Sequence, residues 1–109
     1  MSEPQIGPAI GRWDEARQGP LTEEALRRHL EGLGYAVSRY VYPPGTYFPP
    51  HTHEVDKIDA VLSGRFRLTL EGRVVVLGPG EWVAVPRGAV HDAAVMGEEP
   101  VVSLDAVRL

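Results

Sequence analysis

Cysteine is absent from this chain of 109 residues. That excludes disulfide bridges, thiolate metal sites and cysteine nucleophiles together. Asparagine is absent too, and lysine occurs once, as Lys57, beside ten arginines. This bias points to a high-GC or thermophilic source, since heat disfavours Asn and Cys. No apolar run approaches the roughly 20 residues that cross a bilayer. The opening Met-Ser-Glu-Pro-Gln lacks the basic and apolar regions of a signal peptide. The expected compartment is the cytoplasm, with no membrane partner. A formal net charge of −4 leaves no basic stripe to neutralise phosphates, so nucleic acid is not an expected partner either.

A length of 109 residues and 43% hydrophobic residues are enough to bury one core without staples. The 12 glycines and 10 prolines are spread between short apolar runs, so they read as turns. Residues 1–20 carry three prolines and three glycines without periodicity and are expected to form an N-terminal arm. Trp13 is expected to anchor that arm on the domain surface. Residues 21–109 are expected to form a single domain.

Residues 22–32 are the best helix candidate. Thr22 can cap the N-terminus, and Glu23 and Glu24 sit at the positive end of the dipole. Leu26, Leu30 and Leu33 form an apolar stripe at i, i+4, i+7. His29, among Arg27, Arg28 and Glu31, is expected to face solvent. From Tyr35 the pattern turns to β and continues to Leu109. Phe66, Leu68 and Leu70 alternate with polar residues, and Glu71-Gly72 reads as a tight turn. Short strands punctuated by Gly and Pro indicate an all-β antiparallel sandwich or barrel.

His51 and His53 are separated by one residue in a segment expected to be extended. Side chains at i and i+2 of a strand share a face, about 6.6 Å apart. Two imidazoles there can tilt toward one ion at about 2.1 Å. A second cluster, Gly80 to His91, reads G-x5-P-x-G-x2-H. Its glycine opens a strand, its proline and second glycine turn a corner, and His91 re-enters on the next strand. That path can carry His91 across to the other two histidines.

These residues resemble the two motifs of the cupin superfamily, G-x5-H-x-H-x3-4-E-x6-G and G-x5-P-x-G-x2-H-x3-N. Gly45, His51, His53 and Gly64 match the first, and Gly80, Pro86, Gly88 and His91 match the second. The resemblance covers residues 35–107. It implies a double-stranded β-helix, or jelly-roll barrel, with one short N-terminal helix ahead of it. It also implies a divalent transition metal (zinc, iron, nickel, manganese or copper) on His51, His53 and His91, and a homodimer. It does not name a reaction, because the fold hosts enzymes, sugar-binding regulators and storage proteins.

Two motif positions differ. Lys57 stands where the motif has glutamate, and Val95 where it has asparagine. A protonated lysine repels a cation. Three readings follow for the first change. The three histidines hold the metal alone with water, or a nearby carboxylate (Asp56 above all, then Glu54 or Asp59) replaces the lost one, or no metal binds and an organic ligand fills the pocket. Lys57 could pair with Asp59 or Glu54, which would cancel its charge. A desolvated lysine can also act as a base or nucleophile, so Lys57 and Asp59 are the catalytic candidates. Tyr47 and Phe48 are expected at the pocket entrance, and Arg87, in the corner of the second motif, is expected on the surface rather than at the barrel mouth against an anionic ligand.

Two functions of different class remain at this point. One is a metal-binding cupin, acting as a metalloenzyme on a small molecule. The other is a non-catalytic module that binds a sugar or organic acid without metal.

Overall fold

The computed structural model describes residues 9–109. The first strand, β1 (Ile10–Arg12), is followed by a single helical turn, α1 (Glu15–Gln18), and the main helix α2 (Glu23–Gly32). Eight strands follow: β2 (Tyr35–Tyr42), β3 (Tyr47–His51), β4 (Lys57–Ser63), β5 (Arg65–Leu70), β6 (Arg73–Leu77), β7 (Glu81–Val85), β8 (His91–Met96) and β9 (Val101–Arg108). They form two antiparallel sheets. One has five strands in the order β1-β7-β4-β9-β2, and the other has four in the order β3-β8-β5-β6. This is the jelly-roll arrangement expected of the all-β reading. Among the described residues, no helix is long and apolar enough to cross a membrane.

Alternation builds the core. On β5, Phe66, Leu68 and Leu70 point between the sheets and meet Val83, Val85 and Val95. Val95, at the motif's asparagine position, is therefore a core residue. On β4, Ile58 and Ala60 point the other way, outward, and pack beneath α2 with Leu104 and Ala106 of β9. Leu26 and Leu30 of α2 are fully buried there. Thr22 caps this helix as expected, accepting the Ala25 N–H at 3.1 Å. Lys57 and Asp59 share the inward parity of β4 and so face the space between the sheets.

Two expectations are corrected on this outer layer. Trp13 is not a surface anchor but part of the buried layer under α2, 8% exposed, with its indole N–H donating to the Gly19 carbonyl at 2.9 Å. His29 is not solvated. It is half-buried between Trp13 and Trp82, with ring centroids 5.9 and 5.2 Å away. Both departures have one cause. The segment 10–13 pairs along β7 and carries Trp13 against the helix, a long-range contact that leaves no periodic trace.

The motif glycines earn their places in backbone geometry. Gly64 has φ +83°, and a Cβ there would collide with the Pro100 carbonyl. Gly80 has φ +82° and sits against Trp13. The Glu71-Gly72 hairpin has positive φ at both residues, as a type I′ turn requires.

Candidate metal centre

His51 ends β3 and His91 opens β8, and the two are direct partners across the strand pair. His53 lies two residues beyond the end of β3, in the loop that leads to β4. The register shifts between Phe48 and His51, at Pro49-Pro50, so that His51 pairs with His91. One ligand nitrogen from each histidine falls within 4.8 Å of the others. The Nε2 atoms of His51 and His53 are 3.1 Å apart.

The tautomers follow from the partners. His51 Nδ1 lies 2.7 Å from the Pro49 carbonyl, and His91 Nδ1 lies 3.0 Å from the Ala89 carbonyl. A carbonyl only accepts, so both Nδ1 atoms carry the proton and both Nε2 atoms present a lone pair inward. Burial holds His53 and His91 below the ordinary histidine range, and the Lys57 ammonium adds to this for His53. Neutral imidazoles with backbone-fixed tautomers are what a metal ion requires. Two nitrogens each about 2.1 Å from one ion at a right angle lie about 3.0 Å apart. The observed separation fits that donor set.

His53 is held by its loop. Gly88 N–H donates to the His53 carbonyl at 2.9 Å, and Arg87 N–H donates to Asp56 Oδ1 at 2.8 Å. These bonds pin the loop to the Pro86-Arg87-Gly88 corner. Asp56 is thereby committed to the backbone and does not join the histidines. Glu54 is exposed and lies outside the cavity lining.

The floor of the site comes from the other sheet. Lys57 does enter the cavity, but neither Asp59 nor Glu54 is its ion-pair partner. Its Nζ lies 2.8 Å from Oδ1 and 3.0 Å from Oδ2 of Asp105. Asp105, on β9, is the direct register partner of Asp59 on β4. Burial first, and the neighbouring Asp105 carboxylate second, push the Asp59 carboxyl up to about 7. Asp105 was missed in the sequence. Its signal was a single acid in the otherwise uncharged run Val101–Val107, at an inward parity position.

Tyr42, Phe48 and Phe66 close one wall, with Tyr42 4.9 Å from Phe48 and 5.5 Å from Phe66 between ring centroids. Burial and the two aspartates push the Tyr42 phenol upward, so it stays neutral. The cavity enclosed by these groups measures about 190 Å³. Phe48 lines it and Arg87 is exposed on the corner, both as expected, whereas Tyr47 points to solvent.

A family model described as cupin domain matches residues 38–107. The chain belongs to the cupin family. Its curated relatives include germin-like protein 5-1 of Oryza sativa subsp. japonica, 32% identical over 108 residues, covering 92% of this cupin and 47% of the relative. Among solved structures, the DMSP lyase DddQ of Ruegeria pomeroyi DSS-3 superposes with a TM-score of 0.63 at 30% identity, over 70% of this chain and 39% of that one. KdgF from Halomonas sp. gives 0.61 at 26% identity, over 70% and 71%. This cupin spans less than half the length of the germin-like relative.

Proposed function

We propose that this cupin holds a divalent transition metal on His51, His53 and His91 and acts as a metalloenzyme on a small molecule. The carrying observation is the convergence of the three imidazoles, with two Nδ1–H groups tied to carbonyls and the Nε2 lone pairs turned inward. A bound ion would supply Lewis acidity, polarising a carbonyl or lowering the pKa of a water. Zinc, iron, nickel, manganese and copper are the elements considered, and imidazole donors favour zinc, copper, iron and nickel. Lys57 is no obstacle, because Asp105 neutralises it at 2.8 Å. The cavity of about 190 Å³ suits a ligand of a few heavy atoms, with its apolar part against Tyr42, Phe48 and Phe66. That one similar structure is a DMSP lyase supports a catalytic reading of such a site. The reading takes the cytoplasm as compartment and a second copy of the chain as partner.

Elemental analysis by mass spectrometry tests the proposal. The parent protein is expected to carry close to one metal per chain, and a His51→Ala/His53→Ala variant none. A parent that stays metal-free after reconstitution would sink it. The second reading, an organic-ligand module without metal, would then stand. It is favoured by the lysine at the motif's acidic position and by the aromatic wall.

A further inference from the structure

The floor of the cavity contains two carboxyl groups and one ammonium, packed where the barrel could have placed apolar residues. Asp59 and Asp105 face each other as direct partners across adjacent strands, and both line the cavity. Two enclosed carboxylates side by side repel each other, so the pair is stabilised when one of them carries a proton. The surroundings say which. Lys57 Nζ straddles Asp105 at 2.8 and 3.0 Å, so the negative charge stays on Asp105. Asp105 Oδ1 is also buried without a hydrogen bond of its own, despite its charge contact with Lys57. A proton on Asp59 supplies a donor to this carboxylate.

We infer that Asp59 and Asp105 form a carboxyl pair holding one proton, and that Asp59 transfers a proton to and from a substrate carbon adjacent to a carbonyl. The inference rests on the metal-centre reading, which holds that carbonyl at the histidine cluster. Asp59 lines the same cavity as the three histidines and stands on the opposite sheet. The charged and titratable groups facing it are Asp105, Lys57, Tyr42, His51, His53 and His91.

The transfer balances without an oxidant or reductant. A C–H proton passes to the free oxygen of Asp59, and its electron pair stays on the substrate, delocalised into the carbonyl. The proton already on Asp59 shifts to Asp105, so each carboxyl then holds one. Reversal returns a proton to the same carbon or to a neighbouring one. The reaction class is isomerisation or exchange at an acidic C–H. A general acid–base group of this kind contributes roughly a hundredfold or more in rate.

The test has two readouts on the full chain. The first is carbon NMR of metal-free protein labelled at the side-chain carboxyl of its five aspartates. One carboxyl is expected to titrate near neutrality, to vanish in Asp59→Asn, and to shift to lower pH in Asp105→Asn. Completion of all five titrations below about pH 5, roughly a unit above the ordinary aspartate value, overturns the pair. An unmoved midpoint in Asp105→Asn overturns it too, since burial alone would then explain the proton. The second readout is deuterium exchange into the methyl group of pyruvate in heavy water, with metal-loaded protein. The parent is expected to accelerate exchange over free metal, and Asp59→Asn to lose at least tenfold at unchanged metal content. Equal rates in the two, or no acceleration by the loaded parent, overturn the transfer role. Metal content measured on the same samples separates this outcome from failure of the metal centre, and the NMR titration needs no metal.

Discussion

Lys57 stands at the position where the cupin motif has an acid, and its side chain is 12% exposed beside an Asp105 side chain that is 19% exposed. A pair this enclosed is costly to break on one side, because the remaining charge keeps its desolvation penalty. Lys57→Met is expected to destabilise the protein by about 3 kcal/mol, and Lys57→Met/Asp105→Asn to recover most of that loss. Urea unfolding of the three proteins checks both. The Asp59 carboxyl has its own pH signature. Its folded value is raised from 3.8 to about 7, so the folded protein keeps a proton that the unfolded chain has released. The contribution of Asp59 to stability is therefore greatest in acid and declines as pH rises from about 4 to about 7. His53 and His91, held low in the folded state, work in the opposite direction, since the unfolded chain binds their protons more readily. The readout is consequently a difference. Without metal, the stability of the parent relative to Asp59→Asn is expected to fall across that window. A difference that is flat with pH would contradict the raised carboxyl.

At the scale of elements, the His53 loop and the Pro86–Gly88 corner act as one unit. Asp56 closes it by accepting the Arg87 N–H, and the His53 carbonyl closes it again by accepting the Gly88 N–H. Groups that orient metal ligands typically change affinity by about 10–100-fold when removed. Asp56→Ala is expected to weaken metal binding by roughly tenfold while leaving the stoichiometry at one. Competition against a chelator measures it. Loss of the metal altogether would make Asp56 a ligand after all. The helix shows the same logic on the other side of β4. Leu26 and Leu30 of its expected stripe were legible because burial follows a period of 3.6, whereas Leu33 falls just past the helix end and is exposed. The short β1 was not, because three residues carry no period and their order comes from pairing with β7.

The whole molecule is a clamp between two sheets that differ in chemistry. The four-stranded sheet and its loop present the histidines, and the five-stranded sheet presents Lys57, Asp59 and Asp105. Among the described residues, the outermost strands, β1 and β2 of one sheet and β3 and β6 of the other, each have a neighbour on one side only. Tyr40 and Val41 on β2 are about half exposed. Proteins tend to cover such edges. Light scattering at micromolar concentration is expected to give twice the chain mass of 11.9 kDa. A single monomeric mass would refute the dimer.

The sequence alone determined the β architecture, the capped helix and the identity of the three histidines. Alternation, turn residues and motif spacing are local properties, and they survive in a one-dimensional reading. Tertiary structure decided the partners. Lys57 meets Asp105, 48 residues away, because β4 and β9 are paired in a register that sets Asp59 opposite Asp105. Asp56 turns from the histidines because a backbone N–H, 31 residues on, reaches it first. Register and loop closure depend on the whole sheet, so no local pattern could have carried either choice.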